Sequence, residues 1–78
     1  MDKTRIIVVE DNIVYCEYVC NLLKREGYST VQAYHLSTAK KHLQQATDDD
    51  IVVSDLRLND GNGIDLLRWM RKEGKMQP

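Results

Sequence analysis

The residues best placed for chemistry are acids that directly follow apolar runs. Glu10 and Asp11 come straight after Ile6-Ile7-Val8-Val9, and Asp55 comes straight after Ile51-Val52-Val53-Ser54. If both runs are strands of one sheet and end at the same edge, three carboxylates meet there. Carboxylates that close repel one another, so without a cation at least one has its pKa raised. A divalent ion removes the conflict. Oxygen-only ligands with room for water and a phosphate favour Mg²⁺, which takes octahedral oxygen coordination at about 2.0 Å and keeps several waters. Beside such an ion, Asp55 has the chemistry to attack phosphorus in an in-line transfer governed by positioning and charge. A lone acid after a strand is ordinarily a helix cap or a loop residue. The weight lies in the coincidence of an acid pair after one run and a third acid after another, because a cap needs no partner on a second strand.

That meeting requires a particular order of elements. Arg5 to Val9 is a β-branched run without alternation, as expected of a central strand covered on both faces in a parallel sheet. Asp11 or Asn12 caps a helix in which Cys16, Val19, Cys20 and Leu23 recur at helical spacing, with Lys24 and Arg25 in its last turn and Gly27 as its stop. Ser29 to Ala33 reads as a short, half-polar edge strand. Ser37 to Ala46 reads as a surface helix with Leu36, Ala39, Leu43 and Ala46 as its apolar stripe. Asp48-Asp49-Asp50 reads as a solvated loop. Ile51 to Ser54 is the third strand and Leu56 to Gly63 a loop; a third helix then runs from about Ile64 to Glu73, turning Ile64, Leu67 and Met70 inward and stopping at Gly74.

Three strand-helix units in this order predict an α/β fold, an open parallel sheet of flavodoxin-like type with strand order 2-1-3, right-handed crossovers and helices on both faces. In such a sheet ligands bind outside the carboxyl ends of the strands where the order reverses, here between strands one and three.

Size and composition narrow the class. At 78 residues the chain is at most one domain, and a chain of this size buries only about 60% of the surface its unfolded form exposes. Eleven basic against twelve acidic residues leave a net charge of -1, which gives no electrostatic reason to expect nucleic acid or anionic membrane as a partner. No apolar run approaches the roughly 20 residues that span a bilayer, and Met1-Asp2-Lys3-Thr4-Arg5 lacks the apolar stretch of a secretory signal, so a cytoplasmic location is expected. Cys16 and Cys20 read as packing thiols rather than a metal or redox pair. His35 and His42 read as solvated, and Trp69 as packing surface. Gly61-Asn62-Gly63 reads as a turn, since no Gly-Lys-Ser follows to make a phosphate loop.

Ile6-Ile7-Val8-Val9-Glu10-Asp11-Asn12, Ile51-Val52-Val53-Ser54-Asp55 and Gly63-Ile64-Asp65-Leu66-Leu67-Arg68-Trp69-Met70-Arg71 together resemble the receiver domains of two-component response regulators, in order and spacing and over essentially the whole chain. The resemblance implies that Asp55 accepts a phosphoryl group from a phosphohistidine on a sensor histidine kinase or phosphotransfer protein. It implies that Asp11 and Asp55 bind Mg²⁺ directly, that Glu10 acts largely through a bound water, and that the main-chain carbonyl of Arg57 is a further metal ligand. The Arg57 side chain would influence how readily water removes the phosphoryl group. Such a domain is a signalling device that assists its own phosphorylation and dephosphorylation and so regulates an output domain, rather than an enzyme.

Two departures accompany the resemblance. Many receivers have a proline four residues after the acceptor, where this chain has Asn59. Receivers also continue with two more strands and two more helices that supply a Ser or Thr and a Lys. Residues 1–78 therefore read as the N-terminal portion of a receiver, with strand three an open edge available for self-association. Helix three and the strand before it are most similar to transcription regulators that carry an ATPase and a DNA-binding domain; this segment itself is not expected to bind nucleic acid.

Other readings share parts of the pattern. A receiver-shaped interaction module that is never phosphorylated keeps the fold without the chemistry. An aspartate-nucleophile phosphohydrolase needs a second Asp two residues after the nucleophile, where Arg57 stands, and a dinucleotide-binding module needs a glycine-rich turn where Glu10-Asp11-Asn12 stands.

Overall fold

Four consecutive β-branched residues, Ile6 to Val9, have no polar face to offer water, and all four are buried. The computed structural model describes residues 4–45, 50–54, 57–58 and 60–75, with Arg57 followed through its main chain alone. Its elements in chain order are β1 (Arg5–Val9), α1 (Ile13–Arg25), β2 (Ser29–Ala33), α2 (Leu36–Gln44), β3 (Ile51–Ser54), β4 (Arg57–Leu58), β5 (Gly61–Asn62) and α3 (Gly63–Lys72). β1 pairs in parallel with β2 from Arg5↔Ser29 to Val9↔Ala33 and with β3 from Ile6↔Ile51 to Val9↔Ser54. The order β2-β1-β3 is the one expected from the sequence.

Alternation along β1 divides its side chains between two cores. Ile7 and Val9 pack with Ala33, with Leu36, Ala39 and Leu43 of α2, and with Leu66 and Met70 of α3. Ile6 and Val8 pack on the other face with Cys16 and Cys20 of α1. Helices therefore cover both faces. The thiols are free and buried, and burial followed by the neighbouring Cys20 pushes the Cys16 thiol up to about 11, so they serve as small apolar fillers. α1 and α3 end in the same motif. The Tyr28 and Lys75 N–H groups donate to the carbonyls of Leu23 and Met70, five residues back, and the chain turns at Gly27 and Gly74 with φ of 93° and 70°.

Four expectations need correction. α2 starts at Leu36 and ends at Gln44, while Ala46 lies outside the described residues. α3 buries Leu66 and Met70, whereas Ile64 and Leu67 are 49% and 47% exposed. Apolar residues at 64, 66, 67, 69 and 70 permit more than one inward stripe; with Leu66 inward, Leu67 stands about 100° and Ile64 about 160° around the helix. The stretch read as a loop contains a small antiparallel pair, Arg57↔Asn62 and Leu58↔Gly61. Asp50 is not a solvated loop residue: it is 6% exposed and accepts a hydrogen bond from Arg5 Nη2 at 2.7 Å. The register that opposes Ile6 to Ile51 puts Arg5 beside it, so this ion pair ties the start of β3 to the start of β1. Asp48 and Asp49 lie outside the described residues.

β3 is an edge strand among the described residues, and its Val53 is 44% exposed, as expected at a sheet edge. No helix of the described residues is long and apolar enough to cross a membrane.

Candidate functional site

The chain leaves β1 through a turn held from both sides. Glu10 N–H donates to the Ala33 carbonyl at 2.9 Å, carrying the β1–β2 ladder one step past Val9. The Glu10 carboxylate then accepts the Asn12 N–H through Oε1 at 3.1 Å, and Asn12 Oδ1 accepts the Tyr15 N–H at 3.0 Å as the N-cap of α1. The Cys16 N–H closes the first helical turn onto the Asn12 carbonyl at 2.9 Å. Asp11, half-buried, sits in the middle of this turn. Asn12 is thus the cap, and Asp11 is left for other work.

Val9 stands opposite Ser54, so β1 and β3 end level. Between these strand ends and α1 opens a pocket of about 310 Å³ with Tyr15, Val19 and Val53 as apolar wall and Glu10 and Ser54 as polar lining. Of the sequence-predicted site residues, Glu10 and Asp11 are therefore together at the end of β1, and Arg57 opens β4. Asp55, which follows Ser54 in the sequence, lies outside the described residues.

Sequence reasoning missed Asp60. Its carboxylate accepts the Leu36 N–H at 2.7 Å and the Ser37 N–H at 3.1 Å, capping α2 from 24 residues away. The first of these bonds, then the second, holds the Asp60 carboxyl below the usual carboxylate range, and nearby His35 adds to the effect. The sequence alone masks the need for it, because Ser37 and Thr38 stand where a local cap could be read, and only the observed start of α2 exposes it. His35 occupies the N-cap position of α2 and makes no side-chain cap bond, so the helix lacked the Ser, Thr, Asp or Asn that a local cap requires.

The family description "response regulator receiver domain" matches residues 6–78. The chain belongs to this family. The receiver is 35% identical over 74 residues to the probable transcriptional regulatory protein SilR of Salmonella typhimurium, covering 95% of this chain and 32% of SilR. It is similar in structure to the non-phosphorylated HemR receiver domain from Leptospira biflexa, with 37% identity, a TM-score of 0.78, and coverage of 95% of this chain and 60% of that one. It is also similar to the response regulator MaeR bound to beryllium trifluoride, with 32% identity, a TM-score of 0.83, and coverage of 95% and 62%. The receiver spans about a third of the length of SilR and about three-fifths of these solved chains. A receiver of a response regulator is a signalling domain, and the parallel 2-1-3 sheet with flanking helices is the fold of these neighbours.

Proposed function

We propose that the receiver takes a phosphoryl group on Asp55 from a phosphohistidine of a sensor histidine kinase or phosphotransfer protein, and so regulates an output domain in the cytoplasm. The observation that carries this reading is the register of Val9 with Ser54. β1 and β3 end level at these two residues, and in the sequence Glu10 and Asp11 follow the one and Asp55 follows the other. That edge is where open α/β sheets bind their ligands.

In the transfer a carboxylate oxygen of Asp55 bonds to phosphorus as the phosphorus–nitrogen bond of the donor imidazole breaks. The electron pair stays on the imidazole nitrogen, which takes a proton. Such a reaction depends on positioning, and the Glu10–Asn12 turn is held by hydrogen bonds from Asn12 N–H to Glu10 and from Tyr15 N–H to Asn12. The chain contributes an acceptor and its surroundings; the donor's high-energy bond drives the step.

Among the described residues no three or more of His, Cys, Asp and Glu gather as a metal cage. What the end of β1 offers is a pair of half-buried carboxylates. That hard oxygen donor set fits Mg²⁺, which is held by one or two carboxylates together with water and phosphate oxygens. Glu10, Asp11, Asp55 and the main-chain carbonyl of Arg57 would hold it, and it would neutralise charge on the phosphoryl oxygens.

Incubation of the chain with acetyl phosphate and Mg²⁺, read by intact mass, is expected to give one base-labile phosphoryl adduct that Asp55→Asn abolishes. Beryllium trifluoride, to which MaeR is bound, is expected to bind with the same dependence on Asp55. If no adduct forms and Asp55→Asn behaves as the parent, the function that remains is a receiver-shaped interaction module. That second reading draws on the exposed Val14, Tyr15 and Tyr18 of α1.

A further inference from the structure

Charge is divided unevenly along this chain. α2 and α3 carry five basic residues, Lys40, Lys41, Arg68, Arg71 and Lys72, against one acid, Asp65, for a net charge of +4. The remaining residues carry six basic against eleven acidic side chains, a net charge of -5, and together these give the -1 of the whole. A chain close to neutral overall therefore has a positive surface that its net charge hides.

That surface is continuous across the two helices. Both pack on the same face of the sheet, where Leu36, Ala39 and Leu43 of α2 share one core with Leu66 and Met70 of α3. Lys40 Nζ lies 5.7 Å from the centre of the half-buried Trp69 ring, a cation–π contact that joins α2 to α3. Trp69 and Lys72 stand three positions apart, Arg68 and Lys72 four, and Arg68 and Arg71 three, and such pairs are neighbours on a helix surface. With Leu66 and Met70 turned to the core, Arg68, Arg71 and Lys72 are exposed. Like charges at these spacings destabilise a helix. Among the described residues no carboxylate lies within ion-pair distance of Lys40, Arg68, Arg71 or Lys72.

We propose that this patch is a docking surface for a short acidic segment of another protein, whose carboxylates pair with Lys40, Arg68, Arg71 and Lys72 beside Trp69. Complementary charge selects an anionic partner. Two of the four cations are arginines, whose planar fork pairs with both oxygens of a carboxylate. A nucleic acid or an anionic bilayer extends past the patch against a remainder with a net charge of -5, whereas a short peptide ends where the patch ends. Binding of single strands also draws on an aromatic face open to a base, and Lys40 already lies over that of Trp69. The docking surface is independent of phosphoacceptance by Asp55, and either stands if the other falls.

The test is fluorescence anisotropy of dye-labelled octaglutamate titrated with the chain, with the emission of Trp69, the sole tryptophan, followed in titrations with unlabelled peptide. Saturable binding that changes Trp69 emission and weakens as salt rises is expected, because exposed charges are screened. The double variant Arg68→Glu, Lys72→Glu is expected to weaken binding about tenfold or more, since repulsion replaces attraction at the contact. The double variant Lys24→Glu, Arg25→Glu makes the same change of net charge at the end of α1, on the opposite face of the sheet. It is expected to stay within about twofold of the parent, because charges further apart than a Debye length are largely screened. Arg68→Gln with Lys72→Gln serves where the charge-reversed pair folds poorly, and is expected to weaken binding in the same direction.

The docking surface is overturned if octaglutamate does not bind, or if it binds without changing Trp69 emission. Equal loss of binding in the α1 and α3 charge-reversed variants also overturns it, since the chain would then respond to net charge alone. Tighter binding of octathymidylate, or of phosphatidylserine vesicles, than of octaglutamate at the same salt overturns the choice of a peptide partner.

Discussion

Asn12 caps the helix that follows the candidate metal-binding acids, and replacing it separates what the cap does from what the turn does. In Asn12→Ala the Tyr15 N–H loses its acceptor at 3.0 Å, while the bond from the Asn12 main chain to Glu10 Oε1 stays, because it uses no side-chain atom of Asn12. Asn12 is exposed, so water can replace part of what is lost and the cost belongs mid-range for cap removal, about 1 kcal/mol. That is about a fivefold change in the folding equilibrium, and for a domain of this size it lowers Tm by about 4–8 °C. Asn12→Gly is expected to cost only a few tenths of a kcal/mol, and Asn12→Ser about nothing. Thermal melts followed both by far-UV circular dichroism and by the fluorescence of Trp69, the sole tryptophan, check this on two separate helices. The reasoning is refuted if Asn12→Ala melts with the parent, or if Asn12→Ser is as unstable as Asn12→Ala. Phosphoryl uptake by Asn12→Ala should remain closer to the parent than uptake by Glu10→Ala, which removes the other bond of the turn.

Gly61→Ala drives a methyl group against Leu36 Cδ2 and is expected to cost about 1–3 kcal/mol as overpacking, seen as a lower urea midpoint that Leu36→Ala partly restores. Burial keeps Cys16 protonated in the folded chain up to about 11, whereas the unfolded thiol ionises near 9.0. Between those values only the unfolded state sheds the proton, so stability should be independent of this thiol below pH 9 and fall from pH 9 to 11. Urea midpoints across that range check it, and Cys16→Ala should flatten the fall.

Much of the fold was legible because the strands are β-branched runs and the helix ends carry side chains with one physical job each. Ile6 to Val9 could only be central, and Gly27 and Gly74 mark helix stops through the positive φ they adopt. What was not legible lacked a local pattern. The inward face of α3 was misassigned because its apolar residues fit two stripes, and packing against Leu36, Ala39 and Val9 chose Leu66 and Met70. Asp50 looked like one of three solvated acids, and only the β1–β3 register shows that Arg5 reaches it. Asp60 caps a helix whose first residue is 24 positions earlier, a spacing no reading of neighbours detects. In the candidate site, Glu10 and Asp11 were legible because they terminate a strand, whereas the trans-cap that anchors the hairpin was not.

The two faces of the sheet position the site by different means. On the α1 side the buried residues among those described are Ile6, Val8, Cys16 and Cys20, all but the first two small, with Cys16 Sγ 3.9 Å from the Val8 carbonyl. Small thiols let α1 lie close over β1, and the partly buried Val19, Leu23, Tyr34 and Ile51 add apolar area around them. The turn bearing Glu10 and Asp11, at the rim of this smaller core, is held by directional bonds, the Asn12 cap and the Glu10 carboxylate. On the opposite face Ile7, Val9, Leu43, Leu66 and Met70 form a larger core that includes Leu58 of the hairpin, so that side is held by burial. Free energies of local opening should follow this division, with the start of α1 opening more readily than the hairpin and α3. Under the proposed function that asymmetry lets the metal-binding turn adjust to a phosphoryl group arriving or leaving, while the core that fixes the register of β1 with β3 stays closed.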